Sequence, residues 1–194
     1  MRFFKVFRIN RLKKQLKVLQ QTRLNNDVSR EALQREISIY VQLAKIYESL
    51  KGSKKFLFAH DQALACYRMA ASLEDVNSQF ILGSALLDEA KLRDSLQTEG
   101  IFNSASNELF MNELYKEAHA FLYAAEEHQH INAKRLRGLC YINGWGVPVD
   151  KDKGFDLVVA SIEQENSWDR VQKIFKQLGI NNSQFFSELF KHRS

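Results

Sequence analysis

The strongest constraint on the fold of this chain is a spacing of small and apolar residues that occurs three times. Each copy begins with a small residue, which is followed by an apolar residue three positions later and another small residue seven positions later. A fourth residue, glycine in two copies and isoleucine in the third, lies twenty positions after the first. The copies are Ala63, Cys66, Ala70 and Gly83; Ala118, Phe121, Ala125 and Gly138; and Gly154, Leu157, Ser161 and Ile174. Small residues along one stripe of a helix let two helix backbones approach closely, so the spacing predicts closely packed helices.

The helices are also predicted to come in pairs. Ala44 is followed three residues later by Tyr47, and the same step leads from Gly138 to a tyrosine, so another helix precedes the spaced one. The chain has one proline, Pro148, and eight glycines among 194 residues. It has no sustained alternation of apolar and polar residues bounded by turn residues, and is therefore predicted to be all-α.

Residues 136–154 carry a motif that resembles the Sel1-like repeat, written LGxxYxxGxGVxxDxxKA. The matching residues are Gly138, Tyr141, Gly144, Gly146, Val147, Asp150 and Lys153. Arg137 replaces the usual leucine and Gly154 the usual alanine, and the other units keep the helical spacing without the glycine turn. The resemblance implies a right-handed α-solenoid of about three to four Sel1-like or tetratricopeptide-like helix pairs, which bury one another's apolar faces.

The turn of this unit has residues suited to end one helix and begin the next. Gly144 and Gly146 are expected at positive φ, where a side chain is disfavoured. Asp150 is expected as the N-cap of the following helix. The residues with predicted structural roles in the repeats are Gly83, Gly138, Tyr141, Gly144, Gly146 and Asp150.

Three regions are predicted along the chain. Residues 1–30 form a basic amphipathic helix, residues 31–182 a repeat solenoid and residues 183–194 a short Phe-rich helix. The first two copies of the spacing are separated by 19 residues more than the last two, which places an insertion at about residues 90–112. The insertion is either a loop or an extension of both flanking helices, or else an element that contacts a partner through Ile101 and Phe102.

Positive charge is concentrated at the N-terminus. Residues 1–24 contain eight basic residues and no acidic one, whereas the other 170 residues have a net charge of −3. An apolar helical stripe also runs from Ile9 to Leu19, so the arm is expected first to cap the solenoid and second to attach to a partner or an anionic membrane. Insertion into a larger assembly and a mitochondrial transit peptide are the other interpretations, and the retained Met1 argues against cleavage. The candidate contact residues are Arg2, Lys5, Arg8, Arg11, Lys14 and Lys17.

Three further aromatic residues are candidate partner contacts. Trp145 lies in the glycine-flanked turn, where it either anchors a protein interface or packs under the neighbouring turn. Phe185 and Phe186 lie in the predicted C-terminal helix, which either covers the last repeat or docks into a groove of a partner. The sequence leaves these alternatives open.

The chain contains no recognisable catalytic, metal-binding or cofactor-binding motif. Cys66 and Cys140 lack the spacing of a redox or zinc site, which favours reduced, buried thiols and a cytoplasmic protein, with a disulfide as the alternative. His128 and His130 are two residues apart and point to different sides of a helix. Nucleic acid is disfavoured as a partner, because the basic arm lacks a stacking pattern and the remainder is acidic. No stretch is long and apolar enough to span a membrane.

The resemblance implies an adaptor or scaffold, because Sel1-like proteins generally bind other proteins and bacterial members serve in signalling, secretion or host interaction. We therefore expect a non-catalytic, cytoplasmic protein-binding subunit of a multi-subunit complex. The alternative is a peripheral membrane-associated component of a larger bacterial assembly, such as a secretion system, attached through the basic N-terminal helix. A third class is enzymatic, a degenerate hydrolase or thiol enzyme hidden in the repeat.

Overall fold

The computed structural model describes residues 2–24, 29–101 and 103–178, and all regular structure in these ranges is helical. The helices are α1 (Arg2–Leu24), α2 (Arg30–Glu48), α3 (Ala59–Ser72), α4 (Val76–Thr98), α5 (Ala105–Glu127), α6 (Ile131–Asn143), α7 (Lys151–Glu165) and α8 (Val171–Gln177), with a 3₁₀ turn at Trp168–Arg170. The prediction of an all-α fold is confirmed. The chain forms two compact units that divide between Leu82 and Gly83, while the predicted boundaries at residues 30 and 182 stay predictions.

In the first unit, α1 and α3 both pack on α2. The stripe of α1 faces inward: Ile9 and Leu12 are buried, and Leu16 and Leu19 pack beside them. Their neighbours in this core come from α2, the following loop and α3, and include Leu43, Ile46, Tyr47, Leu50, Ala59 and Ala63. A period-3.6 stripe has therefore determined which side of the basic helix faces the protein.

In the second unit, two glycines bring the backbones of α6 and α7 together. A methyl group on Gly138 would lie 2.6 Å from the carbonyl oxygen of Gly154 and 2.7 Å from a methyl carbon of Val158. A methyl group on Gly154 would in turn lie 2.6 Å from Ile142. These distances are shorter than van der Waals contact, so the two helices can cross this closely only without side chains at both positions.

The pair α4–α5 uses the equivalent position with a looser contact. A methyl group on Gly83 would lie 2.9 Å from Cγ of Leu122 and 3.1 Å from the carbonyl oxygen of Ala118. The nearest atom here belongs to a flexible side chain rather than to the backbone. The predicted insertion lengthens this pair: α4 continues to Thr98 and α5 begins at Ala105, so most of its residues are helical.

The α6–α7 turn is shaped by its glycines and by an aspartate. Gly144 ends α6 in the left-handed conformation at φ 75°. Gly146 has φ 74°, and a methyl group there would collide with the backbone of α5 at Tyr115. The carboxylate of Asp150 accepts a hydrogen bond of 3.0 Å from the backbone N–H of Lys153 and caps α7. Helix caps of this kind typically stabilise a protein by about 1 kcal/mol.

The substitution Gly138→Ala tests the close crossing of α6 and α7. It should lower the free energy of unfolding by about 1–3 kcal/mol, because the added methyl group meets a backbone carbonyl that cannot move aside. Urea unfolding followed by circular dichroism measures the change. Gly83→Ala is the comparison variant, and it should lower stability by less than Gly138→Ala, because its closest contact is 2.9 Å to a side-chain carbon instead of 2.6 Å to a backbone carbonyl, and alanine favours the helix. Equal stability of Gly138→Ala and the unsubstituted protein would contradict the crossing.

Candidate functional site

The candidate site is a groove between α1 and α2, which run antiparallel. Its first part is a cavity of about 640 Å³. This cavity is lined by Arg11, Lys14, Gln15, Val18, Leu19, Arg35, Ser38, Ile39 and Gln42. Its second part, a cavity of about 390 Å³, is lined by Phe4, Lys5, Arg8, Gln42, Lys45, Ile46 and Ser49. Gln42 belongs to both, so we name the two cavities together the α1–α2 groove.

Polar contacts along α1 and α2 fix the walls of this groove. The ammonium group of Lys5 donates a hydrogen bond of 2.9 Å to the hydroxyl of Ser49, and Arg8 donates one of 3.2 Å to the side chain of Gln42. At the other end of α1, the guanidinium of Arg23 lies 3.3 Å from the carboxylate of Glu36, which is only 2% exposed. Low-numbered residues of α1 thus meet high-numbered residues of α2, as an antiparallel pair requires.

A hydrogen bond that the sequence did not predict joins α1 to α2 next to the first cavity. Gln20 donates a hydrogen bond of 2.8 Å to the hydroxyl of Tyr40. Burial and the nearby Glu36 carboxylate raise the pKa of Tyr40 above its usual value. The tyrosine is therefore neutral at physiological pH and contributes no charge to the groove.

The charge of the groove is of one sign. The described residues that line it include six cationic side chains and no carboxylate: Lys5, Arg8, Arg11, Lys14, Arg35 and Lys45. Arg35 has an acidic neighbour outside the lining, Glu31, at 3.9 Å, and both side chains are largely exposed. An exposed pair of this kind contributes little energy.

Near its N-terminal end, α1 carries two exposed aromatic residues. Phe4 is 78% exposed and Phe7 is 64% exposed, although both are large apolar side chains. Val18, farther along α1, is also largely exposed. Exposed apolar groups next to cations are typical of surfaces that contact a protein or a membrane.

The structure brings four of the predicted contact residues together in the groove: Lys5, Arg8, Arg11 and Lys14. Lys17 also lies on α1 but does not line it, and Arg2 lies in α1 with its side chain outside the described part. Ile101 is 61% exposed and follows α4. Phe102, Phe185 and Phe186 lie outside the described residues, so their contacts stay predictions.

Trp145 is held within the second unit. Its ring stacks on that of Tyr115, with centroids 6.0 Å apart and an interplanar angle of 3°. The ammonium group of Lys91 lies 4.5 Å from the centroid of the Trp145 ring, which makes a cation–π contact. The side chain is thus occupied by contacts inside its own unit, which is the packing alternative of the sequence prediction. Its role as a partner contact stays a prediction.

Sequence reasoning missed the half of the groove that comes from α2. Arg35 and Lys45 are ordinary cations in a helix of mixed charge, and neither belongs to the basic arm. A signal was present, because Arg35, Ser38, Gln42, Lys45 and Ser49 follow steps of three or four residues and share one helical face. Only the position of α1, however, makes that face one wall of a groove.

A second group of polar side chains lies around Arg137, where residues of α5, α6 and α7 contact one another. Arg137 is buried, forms an ion pair with Glu126, and its guanidinium lies 4.6 Å from the centroid of the Tyr123 ring. The ammonium group of Lys153 lies 4.2 Å from the centroid of the Tyr141 ring. These contacts join three helices, so we assign the group to the stability of the unit.

His119 lies beside this group. Its ring makes an edge-to-face contact with the ring of Tyr141 at 5.5 Å, and its buried Nε2 atom has no hydrogen-bond partner among the residues that the structure describes. Burial is the main cause that lowers the pKa of His119 to about 4, and the positive charges of Arg137 and Lys153 contribute to the same shift. The imidazole is therefore neutral near pH 7.

Another buried cation ties α6 to α7. Arg135 donates hydrogen bonds to the hydroxyl of Ser161 at 3.0 Å and to the carboxylate of Glu165 at 2.8 Å. Its guanidinium holds the pKa of the Glu165 carboxyl below the usual value. Because a buried cation without its partners is strongly destabilising, these contacts act as a fixed tie rather than as a free binding group.

The two thiols have the properties of structural cysteines: Cys140 is buried and Cys66 is partly buried. Burial raises the pKa of Cys66 to about 11 and that of Cys140 to about 12. The thiolate is the reactive form, so both groups are weak nucleophiles near pH 7. In the part of the chain that the structure describes, no three His, Cys, Asp or Glu side chains are grouped so that they could hold a metal ion. No described helix is long and apolar enough to cross a membrane.

No family model matches this chain, and no curated protein matches it. Among solved structures, the chain is similar to a Sel1 repeat protein from Oxalobacter formigenes. The two are 22% identical, and the match covers 80% of this chain and 69% of that chain with a TM-score of 0.28. This is the same kind of protein that residues 136–154 resemble. At this TM-score the likeness carries no argument about what the chain binds.

The lowered pKa of His119 predicts a stability that falls with acidification. The unfolded chain takes up a proton on this histidine near pH 6.5, whereas the folded chain does so only near pH 4. The contribution of the neutral histidine is therefore complete above pH 6.5 and is lost as the pH falls towards 4. Unfolding of the unsubstituted protein and of His119→Gln at a series of pH values measures this effect. The stability difference between the two should shift by about 1–3 kcal/mol across this window, and a constant difference would contradict the assignment.

Proposed function

We propose that this chain is a non-catalytic adaptor that binds a protein partner through the α1–α2 groove. The observation that carries the proposal is the groove itself, an elongated recess with cationic walls and an apolar floor. Clefts of several hundred Å³ with apolar surface and a few placed polar groups are typical binding sites. The resemblance to Sel1-like repeats supports the same function, because proteins of that family generally hold other proteins.

The chemistry of the remaining groups supports binding rather than catalysis. The two thiols have raised pKa values, and the imidazole of His119 is flanked by aromatic and cationic side chains. Arg135 and Arg137 are engaged in ion pairs between helices. Each of these groups therefore contributes to packing in its own unit. The proposed setting is the cytoplasm, in a complex of several subunits.

Site-specific photo-crosslinking in native cells tests the adaptor function. A photoreactive phenylalanine analogue at position 38 lies in the lining of the groove, and the same analogue at Gln62 lies on the exposed side of α3. We expect a discrete, saturable adduct with one protein from position 38 and none from position 62. Adducts of the same protein and yield from both positions, or no discrete adduct from position 38, would contradict the proposal.

The exposed phenylalanines of α1 favour a second candidate function, attachment of an assembly component to an anionic membrane. Phe4 and Phe7 are exposed, and they share a helical face with the cations Arg11 and Lys14, which follow at steps of four and three residues. Aromatic side chains can enter the headgroup region of a bilayer while nearby cations contact anionic lipids. In this arrangement α1 holds the two helical units at a membrane surface, as in a peripheral component of a bacterial secretion system.

Sedimentation with lipid vesicles tests the membrane alternative. If it is correct, the protein sediments with vesicles of phosphatidylcholine and phosphatidylserine but not with phosphatidylcholine alone. The variant Phe4→Ser/Phe7→Ser should then remain in the supernatant, whereas the matched variant Leu57→Ser/Phe58→Ser, which changes two exposed residues outside α1, should still sediment. Retention of the α1 variant on the vesicles would contradict this alternative.

A further inference from the structure

We propose that the α1–α2 groove takes an acidic amphipathic helix of the partner. This inference rests on the proposed adaptor function and names the chemical class of the segment that the groove recognises. Three features of the groove carry it: the sign of its charge, its apolar floor and its length.

The charge of the groove calls for a partner with carboxylates. Six cationic side chains line it without a carboxylate among the described lining residues. Among the described residues, Lys5 and Arg8 make hydrogen bonds to neutral groups, the hydroxyl and carbonyl of Ser49 and the amide of Gln42. Glutamate or aspartate side chains of a partner would form ion pairs with these cations through charge-assisted hydrogen bonds. The same charges would attract an acidic segment over a distance and raise the association rate.

The apolar floor selects a partner that is amphipathic as well as acidic. Val18, Leu19 and Ile39 line the first cavity. Phe4 and Ile46 line the second. A nucleic-acid backbone would satisfy the cations but leave this apolar surface uncovered, whereas an amphipathic helix can cover both. A flat lipid surface contacts projecting residues and does not fill a recess.

The length and shape of the groove fit a helix. Its wall on α1 runs from Phe4 to Leu19, which at 1.5 Å per residue is about 22 Å. A partner helix of about 15 residues spans this length. Two antiparallel helices leave a furrow between them in which a third helix packs with interaxial distances of about 8–10 Å. Acidic residues on both flanks of its apolar stripe would then face the two cationic walls.

The C-terminal segment of the chain itself does not have the chemistry of this occupant. Residues 179–194 contain Lys191 and Arg193 but only one acidic residue, Glu188. A basic segment is repelled by a cationic groove. A partner in trans with the opposite charge therefore fits better.

Fluorescence anisotropy with a labelled peptide tests the proposal. The probe is a 16-residue peptide of Glu, Ala and Leu, with leucines on one helical stripe and glutamates on both flanks. Its control is an isomer of the same composition with the leucine stripe scrambled. We expect the full chain to bind the striped peptide about tenfold more tightly than the scrambled one, because only the striped peptide places its leucines on the floor. Binding should weaken with added salt.

Charge-reversed variants locate the binding. Arg11→Glu/Lys14→Glu changes two exposed lining residues and should weaken binding of the striped peptide about tenfold or more. Lys54→Glu/Lys55→Glu makes the same change of net charge at exposed positions outside the groove and should leave the affinity within about twofold. Val18→Ser should weaken binding while keeping the salt dependence, because it changes an apolar lining residue and no charge. Circular dichroism of each variant establishes that it is folded.

Each result has a defined consequence. Equal binding of the two peptides, or an equal loss with both charge-reversed pairs, would overturn the acidic-helix proposal. So would anionic vesicles that bind through Arg11 and Lys14 while the striped peptide does not, or self-association of the chain that the same pair abolishes. A crosslinked partner at position 38 whose attached segment is basic or not helical would overturn this inference but leave the adaptor function standing. Peptide binding without any cellular adduct at position 38 would overturn the adaptor function instead.

Discussion

The close approach of helix backbones at small residues is the constraint on which the second unit depends. At the crossing of α6 and α7, a single methyl group on Gly138 or Gly154 would come within 2.7 Å of atoms of the other helix. Close contact over this area buries the apolar side chains of α7, including Val158 and Ile162, which are fully buried. Dispersion and the hydrophobic effect then stabilise the pair, since both need atoms in contact. Hydrogen bonds from Arg135 to Ser161 and Glu165 also join the two helices.

In the first unit, the packing of one helix on another brings cationic side chains together. The apolar stripe of α1 is used for packing on α2, and the cations on the neighbouring flank then face those of α2 across a furrow. Like charges brought together in this way oppose one another. Glu36, buried against Arg23, compensates one cation of α1 outside the groove. The cationic lining thus carries an electrostatic cost that an acidic partner would relieve, which is why charge is the main argument for what the groove binds.

The second unit uses its ionisable groups differently, and the contrast is informative. Arg135 and Arg137 lie in ion pairs within the unit, and His119 is kept neutral by burial and by nearby cations. Buried ionisable groups need partners or lose their charge, so they are poorly suited to bind an incoming molecule. The groups of the first unit that line the groove are accessible instead. This difference in burial, rather than the number of charges, distinguishes the binding surface from the structural network.

The sequence by itself determined the helical class, the pairing of α2 with α3, α4 with α5 and α6 with α7, and the inward stripe of α1. It could do so because small-residue spacing and period-3.6 patterns are local properties of the chain. The sequence also indicated that the N-terminal cations are candidate contacts. Whether Trp145 projects or packs depended on Tyr115 and Lys91, which are distant in sequence. The groove likewise required Arg35 and Lys45 to meet α1. Only the tertiary structure decided these features, because they depend on side chains from separate helices meeting in space, and no local pattern specifies that meeting.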